Sequence, residues 1–368
     1  MRKGWEYKSF ETCINKLPKP KQVKTSEYSS GTKYPIISQE DKLISGYYDD
    51  ESYVFHIDSP VVIFGDHTRV LKYVDFDFVV GADGVKIISP KRELNAKFLL
   101  YYLQWYKIPN LGYSRHYKLL KEIKIPLPPL STQLAIVSEL DKINELIRLK
   151  KEQLKDFDNL AQSLFYEMFG DPVENEKGWE VKKLGDICSQ ITDGTHNSPT
   201  NTEKGDFMYV TAKNIKRDGI ILDNITYVDA ATHQSIYLRC NPEYGDVLYI
   251  KDGATTGIAT INNLKEEFSL LSSVALLKLG DEIVNYYLKA VLNTQSLYNS
   301  IRSNMGGAAI TRLTLVKIKA IRIPLPPIPL QRLFAQRIEQ IEREKSEVQK
   351  SIQDLETLLA SRMQYWFE

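Results

Sequence analysis

The pentapeptide Ile-Pro-Leu-Pro-Pro occurs twice in this chain, at residues 125–129 and again at residues 323–327. In both places a glutamine follows four residues after the last proline, at Gln133 and Gln331. Proline fixes φ and has no amide donor, so both segments are predicted to be stiff, extended connectors and neither helix interiors nor central strands. A segment this constrained, used twice in one chain, indicates an internal repeat.

Further matches occur in the same order in both halves of the chain. The offset between paired residues grows from 174 to 198, as insertions in the second copy would produce. We therefore predict two divergent copies of one unit, each about 175–195 residues long. The matched pairs are 4–6 with 178–180, 33–38 with 206–211, Asp66 with Asp252, 101–103 with 286–288, and 114–115 with 311–312.

A long helical pattern follows each pentapeptide, with apolar residues at spacings of three and four. This heptad pattern predicts two helices of about 35–38 residues, roughly 55 Å long, that pair antiparallel. Lys150 and Lys345 interrupt the seams; each either fixes the register or extends its ammonium to solvent. The predicted seam residues are Ile136, Leu140, Ile143, Ile147, Leu154 and Phe157, and Phe334, Ile338, Ile341, Val348, Ile352 and Leu355.

The predicted fold is mixed α/β (α+β), with two globular domains separated by two long antiparallel coiled-coil helices. The globules are placed at residues 1–124 and 178–322, and the helical regions at 125–177 and 323–368. The three cysteines form no CxxC pair, so neither a disulfide framework nor a structural zinc site is expected. The sequence has no apolar run long enough for a membrane span and no signal peptide, so we expect a cytoplasmic protein.

Three catalytic signatures are incomplete or absent in the sequence, and no compact cluster of acidic residues and lysine, as in restriction-type nucleases, stands out. No GxxxxGK[ST] loop for ATP occurs, and the five histidines lack metal-ligand spacing. Residues 241–244, Asn-Pro-Glu-Tyr, approach the Asn-Pro-Pro-Tyr turn of amino-methyltransferases but have Glu as the third residue. No glycine-rich cofactor turn accompanies them, so an ordinary Asn-Pro turn is the preferred interpretation. We predict no catalytic residue, no metal and no cofactor in this chain.

Polar loops suited to nucleic acid recur at matching positions of both globules. Residues 1–124 carry 20 Lys and Arg against 15 Asp and Glu, which favours an anionic partner there. Arg and Lys pair with guanine, Asn and Gln with adenine, and hydroxyls and lysines with phosphate. The alternative is that these loops are ordinary polar turns.

The candidate DNA-binding residues come from both copies of the repeat. Arg115 and Arg312 have a second interpretation, a salt bridge between globule and helices. In the first globule the candidates are Lys19, Lys21, Lys24, Gln39, His67, Thr68, Arg69, Ser114, Arg115 and His116. In the second they are Thr195, His196, Asn197, Ser198, Lys213, Asn214, Lys216, Arg217, Lys251, Thr255, Thr256, Asn304, Thr311 and Arg312.

This organisation resembles the specificity subunits of type I restriction–modification enzymes. Residues 123–170 look like the central conserved region of that family, 321–367 like its distal copy, and 178–199 like the start of a target recognition domain. The first globule departs from the pattern, with Asn-Lys-Leu-Pro-Lys-Pro-Lys-Gln-Val-Lys where the second has Thr-Asp-Gly-Thr-His-Asn-Ser-Pro. The two globules are therefore expected to recognise different sequences.

The resemblance implies a non-catalytic subunit that binds double-stranded DNA. Each globule would recognise one half of a split site, and the helical rod would set the spacer and dock two methyltransferase subunits. Those subunits would carry S-adenosylmethionine and methylate adenine N6, and restriction subunits would use ATP and Mg. Two alternatives remain open: a related methylation-only or combined cutting–methylating system, and a coiled-coil scaffold with two protein-binding domains.

Overall fold

The chain folds into two compact units in a computed structural model that describes residues 4–31, 33–81, 84–112, 114–303 and 312–368. One unit combines the residues up to Glu152 with Gln349–Glu368, and the other is Gln153–Val348. Each unit contains one globule and a part of both long helices. The helices belong to these units because their apolar seams share a hydrophobic core with the globules.

The described part of the first unit contains short strands, two short helices, one helix of 11 residues and the start of a long helix. The strands are β1 Glu6–Ser9, β2 Tyr34–Ile37, β3 Gly46–Tyr48, β4 Val54–Phe55, β5 Val61–Gly65, β6 Leu71–Val74, β7 Phe78–Val80, β8 Val85–Ile88 and β9 Lys124–Leu127. The helices are α1 Phe10–Cys13, α2 Ala96–Tyr106, α3 Tyr117–Leu120 and the long α4 Leu130–Phe169, which continues into the second unit. Two 3₁₀ turns lie at Thr25–Glu27 and Glu51–Tyr53.

The second unit begins and ends with the same elements as the first, and it has additional strands and helices between them. Its strands are β10 Glu180–Lys183, β11 Cys188–Asp193, β12 Phe207–Val210, β13 Ile215–Lys216, β14 Gly219–Ile220, β15 Thr226–Val228, β16 Val247–Ile250, β17 Ala259–Ile261, β18 Phe268–Leu270, β19 Val274–Leu279 and β20 Arg322–Leu325. Its helices are α5 Leu184–Ile187, α6 Ala230–Tyr237, α7 Asn285–Leu292, α8 Gln295–Ser303, α9 Leu315–Lys319 and α10 Ile328–Phe367, which ends in the first unit.

The sheet connections repeat between the two units. In the first, β2 pairs antiparallel with β3 and parallel with β7, and in the second β12 pairs antiparallel with β15 and parallel with β18. Strand β5 lies antiparallel between β6 and β8, just as β16 lies between β17 and β19. The mixed α/β fold and the internal repeat are thus confirmed. Strand β4, beside β7, and strand β11, beside β19, extend these sheets differently in the two copies.

Each repeated pentapeptide closes its globule. Strand β9 pairs antiparallel with β1, and β20 pairs in the same register with β10, so that Leu127 faces Glu6 and Leu325 faces Glu180. Both ladders have only two strands. An edge strand tolerates proline because one side of it needs no amide donor. The extended conformation was predicted, whereas pairing with the first strand of each globule was not.

The glutamine after the first pentapeptide is fully buried. The Oε1 atom of Gln133 accepts a hydrogen bond from the Asn95 amide at 2.8 Å. Its Nε2 atom donates to the carbonyl oxygens of Glu93 and Pro128, both at 2.9 Å. Asn95 is the N-cap of α2. One side-chain amide therefore connects the start of α4 to the connector and to a helix of the globule.

Gln331 makes the same three contacts in the second unit. Its Oε1 atom accepts from the amide of Val284, the N-cap residue of α7, at 2.9 Å. Its Nε2 atom donates to the carbonyl oxygens of Glu282 at 3.1 Å and Pro326 at 2.8 Å. The spacing from proline to glutamine thus recurs because the same junction is built twice.

The two long helices are 40 residues each, slightly longer than predicted. In the first unit α4 and α10 run antiparallel: the Arg362 guanidinium bonds Glu139, and Lys151 Nζ lies 2.8 Å from Glu356 Oε1. The hydrogen bonds from Arg362 lower the pKa of the Glu139 carboxyl. The predicted seam residues Ile136, Leu140, Ile143, Ile147 and Ile352 are buried here, and Leu355 is half-buried.

The second unit contains the other stretch of antiparallel pairing. The Phe334 ring packs edge-on against Phe165 and Phe169, with centroids 5.9 and 5.2 Å apart. Phe334, Ile338, Ile341 and Val348 of the predicted seam are buried, and Leu154 and Phe157 are half-buried.

Lys345 occupies its seam position with two carboxylates beside it. Its Nζ atom lies 2.5 Å from Asp158 Oδ1 and 3.6 Å from Asp218 Oδ1. Burial lowers the pKa of Lys345, but the two carboxylates outweigh this effect, so the pKa is raised above its ordinary value. The lysine stays charged at the seam because it is paired and does not simply extend to solvent. Lys150 is half-buried on α4.

None of the described helices combines the length and the apolar character that crossing a membrane requires. The thiols of Cys13, Cys188 and Cys240 are unpaired. Burial raises the pKa of Cys188 and of Cys240 to about 12, so both thiols remain protonated at neutral pH.

Candidate nucleic-acid interface

Three polar loops of the second globule meet at one edge, around the connection between β18 and β19. Strands β11 and β16 run antiparallel to β19, and β12 runs parallel to β18. The carboxyl ends of β11, β12 and β16 therefore all lie beside residues 271–273. The loops that follow these strands, at 193–198, 211–217 and 251–256, contain most of the candidates predicted in this globule.

Hydrogen bonds that involve backbone amides attach these loops to the connection. Ser272 N donates to Thr195 O at 2.9 Å, Lys251 N donates to Ser273 O at 2.9 Å, and Ala212 N donates to Ser273 Oγ at 3.3 Å. The close approach of two backbone segments also explains why residue 194 is a glycine. A Cβ at Gly194 would come within 1.8 Å of the Leu270 carbonyl oxygen.

A cluster of five charged side chains joins the loops beneath this edge; we call it the charge cluster. Lys251 Nζ lies 3.2 Å from Asp193 Oδ2 and 3.3 Å from Asp252 Oδ2. Arg239 Nη2 donates to Asp193 Oδ1, and Arg312 Nε lies 3.2 Å from Asp252 Oδ1. Asp193 and Lys251 are buried, whereas both arginine side chains are at least half exposed. The cluster consists of Asp193, Arg239, Lys251, Asp252 and Arg312.

The predicted residues of the second globule divide into surface and interior groups. His196, whose Nε2 lies 3.2 Å from Asp193 Oδ1, belongs to the surface group. Asn304 and Thr311 lie outside the described residues. The exposed candidates are His196, Asn197, Ser198, Lys213, Lys216, Arg217, Thr255 and Arg312, with Thr195 half-buried. The buried candidates are Asn214, Lys251 and Thr256.

The buried candidates shape the loops from inside. Asn214 Oδ1 accepts from the amide of Thr211 at 3.0 Å, and its Nδ2 donates to Ile221 O at 3.2 Å. Thr256 Oγ1 donates to Gly253 O at 2.7 Å. Their polar atoms form hydrogen bonds within the loops. These residues therefore shape the turns, whereas the sequence suggested that they contact DNA at the surface.

Arg217 lies in a different environment from the other exposed candidates. It belongs to the turn between β13 and β14, next to Asp218, whose carboxylate approaches Lys345 on α10. Arg217 also lines a cavity of about 420 Å³ that α4, α7 and α10 border within the second unit. This hairpin therefore carries Arg217 toward the long helices.

The first globule forms a similar edge from different residues. Thr68 Oγ1 donates to Gln39 O at 2.6 Å, and His67 N donates to Gln39 Oε1 at 3.3 Å. A Cβ at Gly84 would lie 2.6 Å from Gln39 Oε1. The loops after β2 and β5 and the residue before β8 thus come together. Arg69, with φ of 62°, turns the chain back toward β6.

Asp66 and His116 tie a further loop to this edge. Asp66 Oδ1 accepts from the Tyr117 amide at 2.7 Å, and His116 Nδ1 lies 2.9 Å from Asp66 O. His116 Nε2 accepts from the Leu111 amide at 3.0 Å. His116 is fully buried, so the predicted contact residue is instead a loop support. The equivalent tie in the second globule is the Leu313 amide, which donates to Lys251 O at 2.8 Å.

The remaining candidates of the first globule differ in exposure. Lys21 Nζ donates to Ser52 Oγ at 3.2 Å and lies 5.0 Å from the centre of the Tyr53 ring. Arg69 Nη1 donates to Ile108 O at 3.1 Å. The exposed side chains are Lys19, Lys21, Lys24, Thr68 and Arg115; Gln39, His67, Arg69 and Ser114 are half-buried.

Lys72 and Arg239 support these edges, although neither was among the residues predicted from the sequence. Lys72 on β6 is buried and donates to the carbonyl oxygens of Ser38, at 2.9 Å, and Lys42. Burial lowers the pKa of Lys72. Arg239 follows α6 and reaches Asp193, 46 residues earlier in the chain. Neither has a local sequence signature, because both act on loops distant in sequence.

The tetrapeptide at residues 241–244, which is similar to a methyltransferase motif, forms an ordinary turn. The Glu243 amide donates to Asp246 Oδ2 at 2.8 Å, and Asn262 Nδ2 donates to Glu243 O at 2.9 Å.

Within the described ranges, no group of His, Cys, Asp and Glu side chains is arranged to hold a metal ion. The loop edge of the second globule presents guanidinium, ammonium, amide and hydroxyl groups, which suit base edges and phosphates.

Comparisons with known proteins match nearly the whole chain. The model of the type I restriction modification DNA specificity domain matches residues 3–156 and 176–357, one segment per repeat. The MjaIX specificity subunit of Methanocaldococcus jannaschii is 25% identical over 236 residues, 58% of this chain and 53% of that protein. The chain's match thus spans about half the length of that relative.

Two further matches cover a larger share of both compared chains. The EcoR124I/EcoR124II specificity subunit of Escherichia coli is 22% identical over 342 residues, 86% of this chain and 81% of that protein. A chain from a structure of complex assembly and conformational transition in the type I R-M system has a TM-score of 0.59 at 19% identity. It covers 100% of this chain and 98% of its own length, which shows a shared fold.

Proposed function

We propose, from the premise that this chain belongs to the family of type I restriction modification DNA specificity domains, that it is the sequence-specificity subunit of a type I restriction–modification complex. The observation that carries the proposal is the loop edge built twice on one topology. Each edge collects polar side chains from strand ends that the sheet brings together. Loops on a rigid sheet are a common way to position binding residues.

Each globule would recognise one half of a bipartite DNA site. The two edges share their architecture but not their residues. The loops after β2 and β5 carry Gln39 and Thr68, whereas the equivalent loops after β12 and β16 carry Thr211 and Thr255. Different side chains on equivalent loops favour two different half-sites. Lysines such as Lys19 and Lys213, both exposed, suit contacts to phosphate.

The chemistry would belong to partner subunits. We propose that two methyltransferase subunits bring S-adenosylmethionine, that restriction subunits bring ATP and Mg, and that the complex acts in the cytoplasm. The long helices offer apolar surface for docking, since Leu134, Leu146 and Leu149 on α4 are all about half exposed. This chain would supply recognition alone.

Modified-base sequencing tests the proposal directly. The chain is expressed with a compatible methyltransferase subunit in a host lacking adenine methylation, and N6-methyladenine is mapped across the genome. We expect one split motif with a fixed gap, because two rigidly folded recognition domains act together. An intact, co-purifying complex that produces no new methylated motif would contradict the proposal and favour the protein-binding scaffold.

The helical rod is expected to set the gap. Inserting seven residues after Lys151 in α4 and before Glu356 in α10, which are paired, adds about 10 Å of helix, roughly three base-pair steps. We expect the methylated motif to keep both half-sites and change its spacer. The control inserts seven residues in α4 only, which disrupts the pairing. An unchanged spacer in the double insertion would refute the ruler role.

A further inference from the structure

The charge cluster places two exposed arginines around a buried pair. The side chains of Asp193 and Lys251 are each 2% exposed, whereas those of Arg239 and Arg312 are 50% and 59% exposed. The cluster lies where the loops after β11 and β16 converge, the edge assigned to DNA under the proposed function, on which this inference rests. Arg239 comes to this edge from the end of α6.

Each carboxylate of the cluster contacts Lys251 through one oxygen and an arginine through the other. Asp193 contacts Lys251 through Oδ2, and its Oδ1 contacts both Arg239 and the Nε2 atom of His196. Asp252 contacts Lys251 through Oδ2 and Arg312 through Oδ1. The buried ammonium therefore holds both carboxylates. Asp193 is hydrogen-bonded to the Arg239 guanidinium, and Asp252 is ion-paired with Arg312, whose backbone also bridges Asp252. Burying such a pair is costly, so a role beyond stability is indicated.

This arrangement favours recognition of a base over simple attraction to phosphate. Two carboxylates beside three cations reduce the positive potential, which is a disadvantage for phosphate binding. What they provide is orientation. A guanidinium is a planar fork with five donors, so one that is paired with a carboxylate retains donors for a second acceptor. A fixed fork matches the O6 and N7 acceptors of guanine in the major groove.

We propose that Arg239 and Arg312 are specificity-determining residues that each recognise a guanine in the second half-site. Asp193 and Asp252 are their positioning residues, and Lys251 aligns the two carboxylates. The second half-site then contains at least two guanines. Arg312 was among the residues that the sequence suggested, whereas Arg239 emerges only from its contact with Asp193.

Methylation mapping of single variants tests this assignment. In Arg239→Ala and Arg312→Ala, discrimination for guanine at one position of the second half-site is expected to fall by about 10- to 100-fold, a different position for each variant. The first half-site and the spacer stay as in wild type. Arg322→Ala, which removes an exposed arginine of β20, is the matched control and is expected to keep the wild-type motif.

Two further variants separate orientation from charge. Arg312→Lys keeps the charge but not the fork, so it is expected to lose discrimination like the alanine variant. Asp252→Asn is expected to weaken discrimination at the Arg312 position while affinity for non-specific DNA stays within about twofold.

The outcomes distinguish this inference from the proposed function. If wild type gives a bipartite motif whose second half lacks guanine, or if both alanine variants discriminate normally, the assignment is wrong and the proposed function stands. If the alanine variants bind all DNA sequences equally more weakly, the arginines contact phosphate, and the guanine assignment is also wrong. A wild-type complex with no bipartite motif would overturn both.

Discussion

Asp193→Ala is expected to destabilise the second unit by about 3 kcal/mol, because it leaves the buried ammonium of Lys251 without one of its two carboxylates. Asp252 remains 3.3 Å from Lys251 Nζ and compensates in part, so the cost lies at the lower end for a broken buried pair. Urea denaturation followed by circular dichroism measures the change, with the transition of the second unit expected to move to lower urea.

A double variant separates the buried charge from the lost contacts. In Asp193→Ala with Lys251→Met the uncompensated charge is removed, so the double variant is expected to be more stable than Asp193→Ala alone. A double variant no more stable than the single one would show that the ion pair is not the source of the effect. Arg322→Ala, outside the cluster, is expected to unfold like wild type.

Gln331→Leu is expected to cost about 2–4 kcal/mol in the second unit, and Gln133→Leu a similar amount in the first. Each substitution removes three hydrogen bonds and leaves a partly buried amide and two carbonyl oxygens without their partner. For Gln331 the exposed amide would be that of Val284, so hydrogen exchange at this amide is expected to accelerate together with the fall in unfolding free energy.

A surface glutamine provides the control for this pair. Gln336 is exposed on α10, five residues after Gln331, and Gln336→Leu is expected to change the unfolding free energy by less than about 0.5 kcal/mol. If Gln133→Leu and Gln331→Leu were as mild as this control, the repeated glutamine would not stabilise the junction between connector, helix and globule. A large effect in only one unit would show that the two junctions are not energetically equivalent.

The elements predicted most successfully are those controlled by strong local constraints. Proline is excluded from helix interiors and central strands, so the extended form of 125–129 and 323–327 followed from the prolines at these positions. A heptad pattern maintained over many turns defines one apolar face, so the burial of residues such as Ile136 and Phe334 followed as well. Repetition of both features in order was sufficient to predict two copies of one fold.

Site residues were predicted less completely, since a polar residue in a loop has the same local signature whether it faces solvent or the interior. His116 and Asn214 stood among the candidates for DNA contact, yet both are buried and hydrogen-bonded to the backbone of other segments. Arg239 was not among the candidates, because nothing in its local sequence indicates a role at this edge. Its partner Asp193 is distant in sequence, and only folding brings the two together.

The sequence by itself determined the repeat, the extended connectors, the long paired helices and the loops that hold the polar residues. These follow from restrictions on φ and from apolar periodicity, which act within a few residues. Only the tertiary structure decided that Gln133 and Gln331 bind three backbone groups each, and that Lys251 is buried between Asp193 and Asp252. Burial and pairing of polar groups depend on which strand ends meet, and that is settled by packing between segments far apart in the chain.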